Sequence, residues 1–427
     1  MSKNLSHFLE EIEAQGYGIG VGLIGAGKMG RTIIHQIRLA KGIRLAAVAE
    51  IYVERAVEAL RKAGYRDEEI RSVRSLEEAE RAGDGVVVTS DASILMELNS
   101  VDVIIDATGA VEVGAKMGYE AIMRRKNYVM MNAEADATFG PLLARLAELA
   151  GVVYTGDLGD EPGTVMHYLY DPFKSMGFRV VAAGKGKNNP LQRYATPESV
   201  SADAEKKKLN PRILASFVDG TKTMVEMTIL SNATGLLPDR RGMHGPKASV
   251  RELSEIFKGK DRGGILENEG VVDYVIGIAP GVFIVVDTED EEVKENFKYL
   301  RVGEKPPYAF YRPYHLPGNE TVLSAVWAVI YETPIIAPIG HFSDAVAFAK
   351  KDLSAGEVID GIGGHTVYGL IERREISRDE GLLPIGLSEG AKLKRSVRRD
   401  EPLHLDDVEL EEGLAYRLWR LQEKVIG

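Results

Sequence analysis

The sequence predicts an α/β chain: a doubly wound parallel sheet first, an α+β domain after it, and a small β-rich module last. Three observations predict it. A short apolar run, Gly20 to Ile24, ends in Gly25-x-Gly27-x-x-Gly30 and passes at once into the helix-period pattern Met29, Ile33, Ile37. Strand and helix patterns then alternate through short loops as far as Thr155, an order that folds as a parallel sheet. The pattern changes character at Asp157 and again at His341. The expected division is therefore 1–156, 157–340 and 341–427.

The whole chain sets the bounds. Its 427 residues are enough for separate hydrophobic cores, and 44% hydrophobic with 27% charged residues is ordinary globular composition. A net charge of -11 argues against a nucleic-acid partner, although a local lysine cluster can still take an anionic small molecule. Without cysteine there is no disulfide, thiolate nucleophile or cysteine-ligated metal. No run approaches the ~20 apolar residues of a membrane span. Met1 to Gly16 is polar and amphipathic (Phe8, Leu9, Ile12), with no apolar signal core. A cytoplasmic protein with no membrane partner is expected.

The first glycine motif is the firmest site signal. One glycine makes the tight turn, the second lets backbone approach a pyrophosphate, and the third lets helix pack on strand. Gly25, Ala26, Gly27, Lys28, Met29 and Gly30 are expected to cradle a dinucleotide at the positive end of the helix. The next strand, Leu45 to Ala49, ends in Glu50, placed to accept the ribose hydroxyls. That carboxylate favours NAD, while Arg31 and Arg55 are near enough in sequence to admit NADP. After helical patterns at Arg55–Ala63 and Leu76–Ala82 come a strand at Val86–Val88 and a helix near Ile94–Leu98. The strand Val101–Asp106 and a helix from Val111 follow. Strand Tyr128–Met131, helix Leu142–Ala150 and strand Val152–Thr155 complete the series. Ligands of such sheets lie beyond the carboxyl ends of the strands. This places Thr108 and Gly109 after one strand, and Asn132 and Glu134 after the next, at the nicotinamide end.

The second part carries the candidate chemistry. Gly156 to Gly163 is a glycine turn with Asp157, Asp160 and Glu161. These acids can cap the following helix, hold a substrate hydroxyl or bind a divalent ion such as Mg or Mn. Strand Phe178–Ala183 is expected to exit into Gly184-Lys185-Gly186-Lys187-Asn188-Asn189-Pro190, a loop suited to phosphate, carboxylate or a carbonyl oxygen. A helix is expected from Thr196-Pro197, with Lys206 to Lys208 on a solvated face. Asn210 to Thr234 reads as one helix, apolar over most of its circumference and therefore buried. Asp219, Lys222 and Glu226 within it fall on one stripe. Buried charges are costly, so the stripe is either a self-satisfied network or a substrate face with Lys222 tuned for proton transfer. A glycine-proline loop then carries His244, a further acid, base or ligand candidate. Val271–Gly277 and Val282–Asp287 read as a hairpin around Pro280, and Tyr308–Pro317 as an aromatic-basic loop with Arg312 and His315. A helix from about Glu320 and a small β-rich module from His341 close the chain.

Together Val21 to Gly30, Asn132-Ala133-Glu134-Ala135-Asp136 and Gly184-Lys185-Gly186-Lys187-Asn188 resemble homoserine-dehydrogenase-like oxidoreductases. Lys351-Asp352-Leu353-x-x-Gly356-Glu357-Val358-Ile359 resembles the signature of the SAF domain that some of them carry at the C-terminus. The resemblance covers nearly the whole chain. Within the group the chain is similar to bacterial enzymes that act as alternative 1-deoxy-xylulose-5-phosphate reductoisomerases. The resemblance implies a Rossmann domain, an inserted catalytic and dimerising domain, NAD(P)-dependent reduction or oxidation, and a polyhydroxylated substrate. One departure speaks against homoserine itself: the turn Met131-Asn132-Ala133-Glu134 lacks the lysine that true homoserine dehydrogenases place there.

The expectation is an NAD(P)-dependent oxidoreductase on a small polyhydroxylated carbonyl or alcohol, phosphorylated or not, working as a homo-oligomer (dimer or tetramer). Lys185 or Lys222 would move the carbonyl proton, with Asp157, Glu161 and Asn188 positioning hydroxyls and Asp219, Glu226 and His244 as further catalytic candidates. Two alternatives stand beside it: a metal-assisted reductoisomerase using carboxylates such as Asp157 and Glu161, and a dinucleotide sensor without turnover.

Overall fold

The computed structural model describes residues 4–426. The chain forms two compact units, and neither is continuous. The first is Met1–Asp160 with Leu316–Ala337, the second Glu161–His315 with Pro338–Gly427.

The first unit holds α1 (Leu5–Ala14), β1 (Ile19–Ile24), α2 (Lys28–Leu39), β2 (Ile43–Ala49), α3 (Val53–Lys62), β3 (Ile70–Ser72) and α4 (Leu76–Glu80). It continues through β4 (Val86–Thr89), α5 (Ser93–Glu97), β5 (Val103–Asp106), α6 (Val111–Met123), β6 (Asn127–Met130), α7 (Ala133–Ala150) and β7 (Tyr154–Gly156). The strands form one parallel sheet in the order β3-β4-β2-β1-β5-β6-β7. Every residue of β1 is buried, as a strand covered on both faces requires. The chain turns to one side of β1 with β2 and to the other with β5, so the ligand crevice opens beyond their carboxyl ends. The doubly wound sheet is thus as the sequence predicts. Two details differ. The edge strand β3 has only three residues, Ile-Arg-Ser, too few for an apolar pattern to show. The helix expected over Leu142–Ala150 begins at Ala133, with Pro141 inside it. A proline there ordinarily signals a break. Helix Thr321–Val326 returns late in the chain and buries Val322, Ala325 and Val326 in the same core as Val21, Leu23 and Ile105.

The second unit starts with α8 (Glu161–Val165), which runs through a wider turn, Met166–Tyr170, into α9 (Asp171–Ser175). There follow β8 (Arg179–Gly186), α10 (Ser201–Lys207), α11 (Pro211–Val218), α12 (Thr221–Thr234), β9 (Leu237–Pro238), β10 (Val271–Val275), β11 (Val282–Asp287) and β12 (Tyr308–Arg312). The sheet order is β12-β11-β8-β10-β9. The expected hairpin of β10 and β11 is therefore wrong: β8 lies between them, parallel to β10 and antiparallel to β11. Glycine makes the insertion close, since a β-carbon on Gly184 would stand 1.7 Å from the Asp273 carbonyl oxygen. Tyr308 to Arg312, expected as loop, is the edge strand, because alternate apolar residues pair it with β11. The helix expected from Thr196 starts instead at Ser201.

The long helix expected over Asn210–Thr234 is two helices broken at Asp219-Gly220, where Gly220 has a left-handed φ of 92°. As expected, its second half is deeply buried: every residue of α12 except Lys222 is buried. Met224, Met227 and Leu230 of α12 pack with Val272, Tyr274, Val282 and Ile284 of the sheet and with Ile371 of the C-terminal module. That module pairs β13 (Ser343–Ala349) antiparallel with β14 (Val367–Arg373) and adds the short β15 (Lys392–Leu393) and β16 (Val408–Glu409). No helix among the described residues is long and apolar enough to cross a membrane.

Candidate functional site

The glycine motif sits at the exit of β1, where Gly25 takes a φ of 96° and Gly27 caps α2 with no side-chain hydrogen bond. A β-carbon on Gly30 would lie 2.0 Å from the Gly25 carbonyl oxygen, whereas at Gly27 it would meet nothing within 4 Å. The space beside Gly27 is therefore open, next to the first turn of a helix with free amides and no acidic residue there. These features fit a pyrophosphate. Glu50 holds the turn by accepting from the Ala26 amide at 2.8 Å and from the Tyr52 amide at 3.2 Å. Beyond β5, Thr108 donates through both amide and hydroxyl to Asp106. The Asn132 amide reaches Thr108 Oγ1 at 3.4 Å and the Ala110 carbonyl at 2.8 Å. Gly109, with φ 78°, has open space where a side chain would be. Glu134 lies in the first turn of α7. All the residues expected to touch the cofactor thus stand at carboxyl ends of strands in one unit.

A groove of about 660 Å³ runs along α2 and α3, lined by Lys28, Arg31, His35, Arg55, Glu58 and Lys62 among others. Glu58 pairs with Lys62 at 2.5 Å, so the groove's net positive charge comes from Lys28, Arg31 and Arg55. Arg55 also stacks on Tyr52, 4.3 Å from the ring centre.

In the second unit the chemistry concentrates on β8. Lys185 is not in a loop, as expected, but inside the strand and 4% exposed. Its ammonium is clamped by the carboxylates of Glu161 on α8 and Glu226 on α12. Burial opposes that charge, yet the pull of the two carboxylates outweighs it and holds Lys185 protonated beyond the ordinary lysine range. His315 presents Nε2 to Glu161 at 3.4 Å and donates from Nδ1 to the Pro280 carbonyl at 2.7 Å. Two residues beyond Lys185 and just past the end of β8, Lys187 is also buried and donates to the Phe217 carbonyl at 2.6 Å. Burial, reinforced by the charge of Lys185, lowers its pKa to about 8.

The stripe expected on one long helix does not exist. The break at Gly220 removes Asp219 from α12, and its carboxylate pairs with Lys350 of β13's exit at 2.7 Å. Glu226 turns to Lys185, and Lys222 is the one residue of α12 that is not buried. Asn188 is exposed just past the strand. His244 faces Asp239 at 2.8 Å, while Asp239 also accepts from the Glu267 and Asn268 amides. That network ties loops together. Arg312, from the aromatic-basic stretch, is stacked between Tyr168 and Tyr314, 4.0 and 4.2 Å from their centres.

Asp157 belongs to the first unit and Glu161 to the second. Asp157 is 4% exposed, accepts from the Gly159 amide at 3.0 Å and leaves Oδ2 unbonded. Burial and the neighbouring Asp160 raise its pKa to about 7. Burial does the same to Asp136, which accepts from the Tyr154 hydroxyl at 2.7 Å. Sequence reading passes over Asp136 as a chemical group, takes Lys187 only as part of the lysine-rich strand exit, and gives His315 only as a minor candidate of the aromatic-basic loop. For Lys187 a signal exists, its two-residue spacing from Lys185 at the exit of the strand.

Residues 159–321 match the family described as the oxidoreductase DRL catalytic domain, and residues 344–409 match the SAF domain. No curated protein matches the chain. Among solved structures, a probable dehydrogenase from Thermotoga maritima is similar with 12% identity and a TM-score of 0.41, over 74% of this chain and 90% of that one. A putative myo-inositol dehydrogenase from Sinorhizobium meliloti 1021 has 12% identity and a TM-score of 0.39, over the same shares. With its match to an oxidoreductase catalytic domain the chain is an NAD(P)-dependent oxidoreductase.

Proposed function

We propose that the protein transfers hydride between a nicotinamide dinucleotide and a small polyhydroxylated carbonyl or alcohol compound. The observation that carries this is the pair of buried lysines two residues apart, Lys185 inside β8 and Lys187 just past its end, one locked in its charged form and one with a pKa of about 8. A bound nicotinamide supplies or takes the hydride. Lys185 faces the oxygen on which charge develops and stabilises it without giving up its proton, because Glu161 and Glu226 keep it an ammonium. Lys187 gives that oxygen its proton in reduction and takes it in oxidation, since its pKa lies near working pH. Glu161 and Glu226 act by aiming Lys185, and His315 steadies Glu161. Residues 1–156 serve as the dinucleotide domain, joined by the helix Thr321–Val326, the rest of 157–340 as the catalytic and oligomerising domain, and 341–427 as the SAF module of a cytoplasmic homo-oligomer.

The groove on α2 and α3 bears on which dinucleotide is used. Arginines beside the ribose accommodate a 2′-phosphate, and Lys28, Arg31 and Arg55 supply its charge partners, with Glu50 committed to the turn. NADP is the favoured form on this reading.

A second reading, the 1-deoxy-D-xylulose-5-phosphate reductoisomerase-like one, is favoured by the convergence of Glu161 and Glu226, whose oxygens lie within 4.8 Å of one another. Such a donor pair suits a divalent cation. Here the Lys185 ammonium fills that place. The test is oxidation of NADH and of NADPH, followed by absorbance, against sugar phosphates, sugar acids and aldehydes, with and without magnesium or manganese. Metal-free turnover supports hydride transfer through the lysines. Turnover on a phosphosugar only with metal supports the second reading, and silence across the panel counts against both.

A further inference from the structure

The C-terminal module sends a lysine into the buried interior of its own unit. Lys350 follows β13 and is 3% exposed. Its ammonium meets the Asp219 carboxylate at 2.7 Å, the Ala195 carbonyl at 2.8 Å and the Gly364 carbonyl at 2.8 Å. An ammonium has three protons to donate, and all three are used.

Asp219 is the joint between α11 and α12. Its amide donates to Ala215 of α11, and its Oδ1 accepts from the Thr221 amide that opens α12, each at 2.8 Å. Thr221 Oγ1 in turn accepts from the Gly369 amide of β14 at 2.8 Å. Two residues before the joint, the Phe217 carbonyl holds Lys187. Seven residues after it, two turns along α12, stands the Glu226 that holds Lys185.

We propose that Lys350 is a positioning residue of the active site: by fixing Asp219 it sets the α11–α12 joint and so aims both Lys185 of β8 and Lys187 just past it. The inference rests on the hydride-transfer reading for its effect on turnover, but the geometry it tests does not need a substrate. The SAF module is then part of the catalytic apparatus, reaching it through the Lys350 ammonium and the Gly369 amide.

Charges that act on Lys187 come from Lys185 on β8, Asp219 at the joint, Glu226 on α12 and Arg193 in the loop between β8 and α10. Asp219 is fully buried, and burial already pushes its carboxyl upward against the pull of Lys350. Without Lys350 that carboxyl takes a proton. Lys187 loses a negative neighbour, and its own proton becomes easier to lose.

The test is Lys350→Met in the full chain, read by NMR titration of the Lys187 resonance, assigned with Lys187→Arg, and by steady-state kinetics. The expected result is a Lys187 titration that moves below about 8 by half a unit or more. Turnover is expected to fall about 10- to 100-fold, with dinucleotide affinity unchanged. If Lys350→Met fails to fold, Asp219→Asn keeps the Thr221 hydrogen bond, removes the same charge and is expected to shift Lys187 the same way. A titration that stays put or moves upward overturns the proposal, whatever the kinetics. A titration that moves as expected in a protein inactive on every substrate leaves this inference standing and overturns the hydride-transfer reading.

Discussion

Gly30 lies so close to Gly25 that a β-carbon on it would stand 2.0 Å from the Gly25 carbonyl oxygen, while Gly27 between them faces open space. The two outer glycines serve the fold and the middle one serves the ligand. Gly30→Ala is therefore expected to destabilise the first unit by about 1–3 kcal/mol. Gly27→Val is expected to leave thermal unfolding nearly unchanged, and to cut dinucleotide affinity at least tenfold in a calorimetric titration, because its side chain fills the pyrophosphate's approach. Loss of stability with intact binding at Gly27 would reverse this assignment.

Lys187 is expected to set the alkaline limb of the pH–rate profile. With its ammonium as the proton donor, carbonyl reduction falls as pH rises through about 8, and alcohol oxidation rises over the same range. Lys187→Met should abolish that limb and slow turnover about 10²- to 10⁴-fold. Lys222→Met, measured alongside, separates the two lysines: a comparable loss there would return the proton to Lys222.

Removing Lys185 strands two buried carboxylates. Lys185→Met should cost about 3–5 kcal/mol of stability for that reason and lower turnover about 10²- to 10³-fold. Adding Glu161→Gln and Glu226→Gln is expected to restore the melting temperature without restoring turnover. Recovery of both would make the cluster structural.

The first unit should be more stable toward acid. Asp157 and Asp136 have folded pKa values of about 7, raised by burial above the ordinary carboxyl value of 3.8. A carboxyl raised in this way favours folding while protonated in the fold. Its contribution is complete below about pH 4 and is lost as pH climbs through 7. Each is worth up to about 4 kcal/mol over that window. Chemical denaturation at a series of pH values should show this slope in the native protein and a shallower one in Asp157→Asn, which is permanently neutral. Identical slopes would count against it.

Much of this was legible in the sequence because local pattern and global fold agree there. Gly25 to Gly30 read as a dinucleotide turn because strand, glycines and helix lie within a dozen residues, and the structure keeps them in that order. The strand-helix alternation did the same for the parallel sheet. What could not be read depended on partners far along the chain. Lys185 looked like a loop residue because its two carboxylates, Glu161 and Glu226, come from separate helices, and nothing local marks it as buried. Asp219 seemed to belong with Lys222 because Gly220 inside an apolar stretch did not show as a break, and its true partner, Lys350, lies 131 positions on. The β10–β11 hairpin failed for the same reason: β8, which separates them, precedes both.

The returning helix Thr321–Val326 has a consequence for the order of events at the ribosome. The core of the first unit contains Val322, Ala325 and Val326 beside Val21 and Ile105, so residues made first wait for residues made more than three hundred codons after Val21. Until then the nascent sheet carries an uncovered apolar strip, while Glu161 to His315 is being synthesised between the two halves. A stalled or prematurely terminated chain ending near His315 would display that strip. The cell would meet the fragment as a chaperone client rather than as a free-standing dinucleotide-binding domain.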